Sequence, residues 1–371
     1  ILRSGKVNYW SGSEGKSFES EFAEWCGVKH ALTMANGTVS LVAAYKSLGL
    51  KKGDYFITTP RSFVATASSG VLLGAQPIFA DVDLDSGNIT ADSIEPLITE
   101  KTKIISVVHL GGWPAEMKKI CDLANKYKLK VVEDCAQAHG ALIDNKSVGG
   151  FGDISSWSFC QDKIISTGGE GGMLSTDNIE IFKEIRSYRD HGKNIESLFK
   201  SKSQLNGEFK YIHDTFGTNY RLSEIQSSLG RIQLRKLKNW TNKRTANAEI
   251  LIEYLKELNN IRIPLPNKNL KHAWYKFYVY LKSECLSDEW SRNRIIREIN
   301  SAGFPAFSGS CSEIYLEKSF KYNLEINYET LPNARNLGEN SLMFLVHPTI
   351  SFEQMNEYAS TIKKVLIKSK K

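Results

Sequence analysis

Short apolar runs alternate with amphipathic stretches along the first two-thirds of the chain. Phe18, Phe22 and Trp25 recur at helical spacing, as do Leu41, Ala44, Tyr45 and Leu48, and then Met117, Ile120, Cys121 and Ala124. That period sets the apolar side chains on one side of a helix. Between these stretches lie strand-like runs at 104–109, 130–133 and 154–159. Near-continuous apolar strands interleaved with helices predict a mainly parallel sheet covered on both faces. Leu222, Ile225, Leu229 and Ile232 predict a further helix with one apolar face, running on toward Leu251 as a connector. Beyond it the pattern reads helix, strand (277–281), helix (Ile295, Ile296, Ile299), then further strand and helix. The expected organisation is a large α/β domain over residues 1–245 and a smaller α+β domain over 246–371. Residues 193–217 differ: they are polar, lysine-rich and without period, a long excursion of the kind that is functional or touches a neighbour.

Composition narrows the classes. Of 371 residues, 41% are hydrophobic and 24% charged, enough to bury a sizeable core. No apolar run approaches the roughly 18 residues needed to span a bilayer. The first residues do not form a charged-then-apolar leader, and the missing initiating Met suggests that a few residues precede them. The six cysteines include no Cys-x-x-Cys pair, so no zinc ribbon or redox motif is signalled and no metal is expected. Reduced core thiols in a cytoplasmic protein are the expectation. The net charge of +7 is concentrated partly in the lysines near the C-terminus. It suits a diphosphate-bearing ligand, and without aromatic–basic interleaving it does not argue for nucleic acid.

Three features carry candidate chemistry. Asn36-Gly37-Thr38 immediately precedes an apolar-periodic helix, where free N–H groups and the helix dipole can hold a phosphate. Alone it is an ordinary helix cap. Glu133-Asp134-Cys135-Ala136-Gln137 follows an apolar strand, at the usual ligand edge of a parallel sheet. A carboxylate there can hold a cationic ring nitrogen, and Gln137 can bond a ring oxygen. Alone this too reads as a helix cap. Ser158-Phe-Cys-Gln-Asp-Lys163 precedes the glycine-rich segment 168–172. A lysine held in a partly dry site gives up its proton more readily and becomes nucleophilic toward an aldehyde. A lone lysine is ordinarily a surface residue. The glycines match neither a dinucleotide fingerprint, since Ser155 stands where a third glycine is needed, nor a phosphate loop. Together, the three features supply what pyridoxal phosphate requires: a phosphate cradle, a pyridinium partner and an amine for the Schiff base.

At these residues the sequence resembles the DegT/DnrJ/EryC1/StrS family of sugar aminotransferases. The resemblance runs from 18–22 through Gly53-Asp54, 61–66, 132–140, Ser158-Phe159, Lys163 and 169–172. It continues through His191-Gly192 and 217–221 to His347-Pro348. It implies the type I fold of pyridoxal-phosphate transferases, an α/β large domain with a mainly parallel seven-stranded sheet flanked by helices, and a smaller C-terminal α+β domain. It implies that Lys163 bonds the cofactor covalently and later moves protons, and that Asp134 pairs with the pyridinium nitrogen. Gln137 would sit near the ring hydroxyl and Phe63 on the ring face. Gly37, Thr38 and Ser158 would hold the phosphate, and Asn219 would reach the phosphate in a partner subunit's site. A homodimer with shared sites follows from that last role. The implied reaction moves an amino group from L-glutamate to the C3 or C4 keto group of a nucleotide-linked sugar, as in amino sugar and surface polysaccharide biosynthesis.

Two stretches depart from the family pattern: Leu110-Gly-Gly-Trp-Pro114 and Cys160-Gln-Asp162. Both bear on sugar selection rather than on the chemistry groups. Sugar contacts are expected from the 10–12 loop, His191 and Trp274-Tyr275, while His139 and His213 are expected to be structural. The rival readings are a sugar dehydratase of the same fold, in which histidine replaces the lysine, and a non-catalytic sugar-nucleotide sensor. Lys163 and Asp134 together argue against both.

Overall fold

Seven strands form the principal sheet: β1 (His30–Met34), β2 (Tyr55–Thr58), β3 (Gln76–Phe79), β4 (Thr102–Val108), β5 (Lys130–Asp134), β8 (Ile154–Ser158) and β9 (Gly172–Thr176). Their spatial order is β1-β9-β8-β5-β4-β2-β3. β9 pairs antiparallel with both of its neighbours, and the other pairings are parallel. The mainly parallel seven-stranded sheet implied by the resemblance is therefore present. The computed structural model describes residues 1–194, 211–324 and 330–371. Most of the excursion at 193–217 thus lies outside the described residues. At its ends, Lys193 bridges His213 across an isolated antiparallel contact.

Helices cover the sheet: α1 (Glu14–Cys26), α2 (Gly37–Ser47), α3 (Ala65–Val71), α4 (Ala91–Ile94), α5 (Met117–Tyr127) and α6 (Ile179–Arg189). The apolar stripe of α1 packs inward. Phe18 and Phe22 are fully buried, and the Phe22 ring lies 5.2 Å from Trp157 on β8. Each such buried aromatic contributes about 1.5–3 kcal/mol through area removed from water. Strand alternation then sorts the polar residues of β5. Glu133 turns to one face and Asp134 to the other.

The long helix α7 (Glu224–Leu255) starts with a Ser223/Gln226 capping box and runs without a break past position 245. Leu234 and Leu237 join the core of the large sheet, whereas Ala248, Leu251 and Leu255 join a second core. That second core packs on a four-stranded sheet, β10 (Ile261–Arg262), β12 (Phe277–Leu281), β14 (Ser341–Phe344) and β13 (Ala306–Phe307), in that order. Helices α8 (Arg292–Ser301) and α11 (Phe352–Lys368) complete it, whereas α9 (Lys318–Asn323) packs against Phe79 on β3 and α10 (Pro332–Asn340) joins the core of the large sheet. A three-stranded ribbon of β11 (Leu270–Lys271), β6 (Leu142–Ile143) and β7 (Lys146–Ser147) ties the two parts together.

The side of α7 marked by the apolar period is not the side it buries within the chain. Its buried side chains include Ser227, Gly230, Leu234, Leu237 and Thr241, while Ile225, Leu229 and Ile232 remain 39%, 38% and 46% exposed. Small residues decide the packing. A Cβ on Gly230 would meet the Phe18 ring at 2.5 Å, so the glycine lets α1 approach. The apolar period at 225, 229 and 232 marks the opposite side of the helix.

Candidate active site

The ligand edge of the sheet gathers the predicted residues. β1 leads into the start of α2, β2 into segment 60–63, β5 into 135–137, and β8 into the loop that carries Lys163. All four exits are at carboxyl ends of parallel strands, where α/β sheets bind ligands. Gly37, Thr38, Phe63, Asp134, Gln137, Ser158 and Lys163 line one cavity of about 1050 Å³. That exceeds an ordinary small-ligand pocket and leaves room for a cofactor together with a second substrate.

Asn36 caps α2, its side chain accepting from Val39 N at 3.0 Å. The N–H groups of Gly37 and Thr38 have no carbonyl within the helix and stand at its positive end beside Ser158. Two glycines permit this closeness. A Cβ on Gly37 would lie 2.7 Å from Ser158 Cβ, and one on Gly172 would lie 2.5 Å from the Asn36 carbonyl oxygen.

Asp134 is buried, accepting from Thr66 Oγ1 at 2.6 Å and from Ala136 N at 3.1 Å. Burial pushes its carboxyl above the usual range, and these two donors and the Lys163 ammonium oppose that push. The neighbouring Glu133 does not face the cavity. It accepts from the N–H groups of Gly149, Phe151 and Gly152 at 2.8, 2.8 and 2.7 Å, and its Oε2 lies 3.1 Å from His109 Nε2. His109 Nδ1 takes the Ala115 N–H at 3.0 Å, which leaves Nε2 to carry the proton toward Glu133. His109 and Glu133 thus belong to a buried hydrogen-bond network that fixes the 149–152 turn, with Cys135 lying beside them.

The Gln137 amide oxygen accepts from Gly111 N at 2.8 Å, which orients its NH2 as the group free for an acceptor in the cavity. Phe63 is 66% exposed at the cavity wall. Lys163 Nζ lies 3.2 Å from Asp162 Oδ2 and 3.3 Å from the Tyr275 hydroxyl. Tyr275 leads into β12, so the second sheet closes the cavity along with Lys276, Ser310 and Cys311. An isolated bridge from Ser62 to Cys311 and a bond from Ile314 N to Pro60 O fasten this wall to the Phe63 segment.

The other expected residues divide. Asn219 is exposed, is not among the cavity-lining residues, and bridges Asp190. Trp274 lies outside the cavity lining and packs within the second core, stacking on His272 at 4.0 Å and on Phe277 at 5.5 Å. Trp10 and His191 also lie outside the cavity lining, whereas Tyr275 is part of it. His139 is buried against Trp157 and Phe159, and burial holds its imidazole down to about 3, as suits a packing residue. His213 Nδ1 bonds the His191 carbonyl at 2.9 Å. Sequence reasoning missed the roles of Thr66, Asp162 and Lys276. Asp162 carried a local signal, a carboxylate adjoining the candidate lysine. Thr66 and Lys276 come to the site through tertiary packing.

Among the described residues, no helix is long and apolar enough to cross a membrane. A family model described as the DegT/DnrJ/EryC1/StrS aminotransferase family matches residues 1–363. The UDP-N-acetyl-3-dehydro-alpha-D-glucosamine 3-aminotransferase of Acidithiobacillus ferrooxidans is 32% identical over 355 residues, covering 96% of this chain and 89% of the relative. An aminotransferase from Psychrobacter cryohalolentis, known from its X-ray structure, superposes with a TM-score of 0.97 at 46% identity, covering 100% of this chain and 95% of that one. The NtdA structure from Bacillus subtilis, solved with the cofactor PMP bound, has a TM-score of 0.84 at 25% identity, with 99% of this chain and 80% of that one covered.

Proposed function

The chain belongs to the DegT/DnrJ/EryC1/StrS aminotransferase family, and on that premise we propose that it moves the amino group of L-glutamate onto the C3 or C4 keto carbon of a nucleotide-linked sugar. The products are 2-oxoglutarate and a nucleotide-linked amino sugar. The family's pyridoxal-phosphate dependence and the sugar named for the Acidithiobacillus relative support this reading. The observation that carries it is the convergence on one cavity of a helix N-terminus, a buried aspartate and a lysine amine. A cytoplasmic enzyme acting on soluble nucleotide sugars fits the six free cysteines.

The residues fit the cofactor. Gly37 and Thr38 N–H with Ser158 form a cradle that an added Cβ would fill, and would hold the phosphate. Asp134 is a buried carboxylate whose cost of burial a pyridinium partner would offset. Gln137 NH2 would face the ring oxygen, Phe63 the ring, and Lys163 would form the covalent link. When bound, pyridoxal phosphate supplies an aldehyde that accepts amino groups and a cationic ring that draws electrons from the carbon losing a proton. Lys163 Nζ takes the proton that leaves the α-carbon of glutamate. In the second half of the cycle it delivers a proton to the sugar carbon that gains nitrogen. Tyr275, Lys276 and Ser310 wall the cavity beside Lys163, whose side chain is 17% exposed.

We assign residues 1–245 as the cofactor-holding part and 246–371 as the part that closes the cavity. We also assign the exposed face Ile225, Leu229 and Ile232 to a second copy of the chain, whose cavity Asn219 would reach.

The test is the visible spectrum of the purified protein supplied with pyridoxal phosphate, before and after L-glutamate. A visible band that bleaches with glutamate and returns with a keto-sugar nucleotide is expected, as is its loss in Lys163→Ala. A wild-type protein without any such band would overturn the assignment.

A further inference from the structure

Lys163, Asp162 and Tyr275 form a closed triangle of hydrogen bonds at the cavity wall. Lys163 Nζ donates to Asp162 Oδ2 (3.2 Å) and to the Tyr275 hydroxyl (3.3 Å), and that hydroxyl donates to the same Asp162 oxygen at 2.5 Å. Nζ also sits 5.2 Å from the centre of the Tyr275 ring. Tyr275 is buried, whereas the Asp162 side chain is 55% exposed. Asp162 and Lys163 share one loop. Tyr275 arrives from the other sheet, so the triangle forms only when both parts of the chain meet.

We propose that Asp162 and Tyr275 are positioning residues for the Lys163 amine, the carboxylate and the tyrosine oxygen both accepting from Nζ and so favouring its ammonium and keeping it aimed while it is not covalently held. The inference rests on Lys163 being the amine that anchors the cofactor. An amine that serves as both base and acid must pass between its two protonation states, and must stay aimed while it is not covalently held. A carboxylate beside Nζ favours the charged state. A hydroxyl oxygen that accepts from Nζ adds to that effect, and its own proton, given to the carboxylate, holds the two acceptors together.

The surroundings agree with these roles. Although burial works against it, the hydrogen bond from Tyr275 and the Lys163 ammonium hold the Asp162 carboxyl below the usual range, so it is ionised at neutral pH. Burial, then Asp162, push the Tyr275 hydroxyl well up, so it stays a donor. The other charged or titratable groups facing the triangle are Asp134 and His139 beyond β5, Arg244 on α7, Glu170 on the cavity wall, and Lys276 and Tyr278 beside Tyr275. None of these is hydrogen-bonded to Nζ among the described residues.

The two partners predict effects of one sign and unequal size. In Asp162→Asn the ammonium loses its counter-charge, so Lys163 becomes reactive at lower pH. In Tyr275→Phe it loses a neutral acceptor, so the change has the same direction and is smaller. The cofactor-free full chain is acetylated with acetic anhydride across a pH series, and modification of Lys163 is read by mass spectrometry. The midpoint is expected to fall by about half to one pH unit in Asp162→Asn and by less than that in Tyr275→Phe. Asp162→Glu should return it toward wild type. Loaded with pyridoxal phosphate, the two substituted proteins should move the pH dependence of the visible band in that same direction. Circular dichroism confirms that each variant is folded. Midpoints that stay at the wild-type value, or that rise in either variant, overturn the proposal. A wild-type chain that forms no visible band defeats the cofactor reading instead, and leaves the acetylation result to decide the triangle by itself.

Discussion

Thr66 Oγ1 donates to Asp134 Oδ2 at 2.6 Å, joining the first turn of α3 to the end of β5. Thr66 is itself held by the Tyr45 hydroxyl, which donates to its carbonyl at 2.7 Å. The carboxylate on which the cofactor assignment depends is therefore aimed by a residue that bears no role of its own in the chemistry. Thr66→Val keeps the shape and removes the donor. A hydrogen bond to a charged group is worth roughly 1.5–3 kcal/mol, so affinity for pyridoxamine phosphate should fall about 10- to 100-fold. The amine form of the cofactor is the right probe because it binds without the lysine link. Equilibrium titration showing wild-type affinity would remove Thr66 from the site.

The same geometry gives a pH dependence. Asp134 is raised in the folded, cofactor-free chain, so its contribution to stability is fully present below the unfolded value and is lost as pH rises through the folded value. A bound pyridinium reverses that loss. The rise in melting temperature on adding cofactor should therefore grow as pH increases through this window. Thermal scans with and without cofactor across pH 4–8 check it, and a constant increment would contradict the pairing.

Gly37→Ala places a Cβ 2.7 Å from Ser158 Cβ. Overpacking of this kind costs about 1–3 kcal/mol. The helix start must retreat from Ser158, so cofactor should be lost on dialysis and the melting temperature should drop. Adding Ser158→Gly relieves the clash. The double variant should recover stability without recovering phosphate affinity, as calorimetry and cofactor titration would show.

Glu133→Gln tests the buried network behind the site. Burial by itself would raise the Glu133 carboxyl, but His109 and the N–H groups of Gly152 and Gly149 together hold it below the usual range. A depressed carboxyl contributes stability that is present above the unfolded value and lost as pH falls through the folded one. Glutamine offers an NH2 where two backbone N–H groups point, so the variant should lose about 3 kcal/mol or more at pH 7. Its acid limb should also be flatter than that of wild type. Chemical denaturation at pH 7 and pH 4 would reveal equal slopes if Glu133 were incidental.

Leu229→Lys with Ile232→Lys puts charge on the exposed apolar face of α7 without touching the buried one. The expected result is a smaller species in analytical ultracentrifugation with at least tenfold lower turnover. An unchanged sedimentation coefficient would detach this face from self-association.

The α/β alternation, the strands β4, β5 and β8 and the cavity residues each left a local mark, whereas the count of seven strands rested on the family resemblance. Apolar period identifies α1, α2 and α5, and the β5 and β8 runs end at Asp134 and Ser158. β9, the antiparallel strand, left little trace: its burial is set by neighbours on both sides, and its Gly172-Met-Leu-Ser-Thr176 run has no alternation. The inward side of α7 left no apolar period, because the closeness of α1 depends on Gly230, a residue with no apolar signal. Glu133 and Asp134 looked equivalent in sequence. Only the pleat, which turns successive residues to opposite faces, separates the network residue from the site residue.

The cavity is lined by residues from Asn36 to Ser319, and the core under the large sheet takes in Ala334 and Leu337 from α10. That spread governs when the protein can first acquire its cofactor during synthesis. A chain leaves the ribosome N-terminus first. The phosphate cradle and Lys163 emerge while Tyr275, Lys276 and Ser310 are still untranslated, so a nascent chain carries the reactive amine before it has the wall that shields it. Cofactor capture is in this sense a closing event of translation, and a chain truncated before Tyr275 carries Lys163 without that wall.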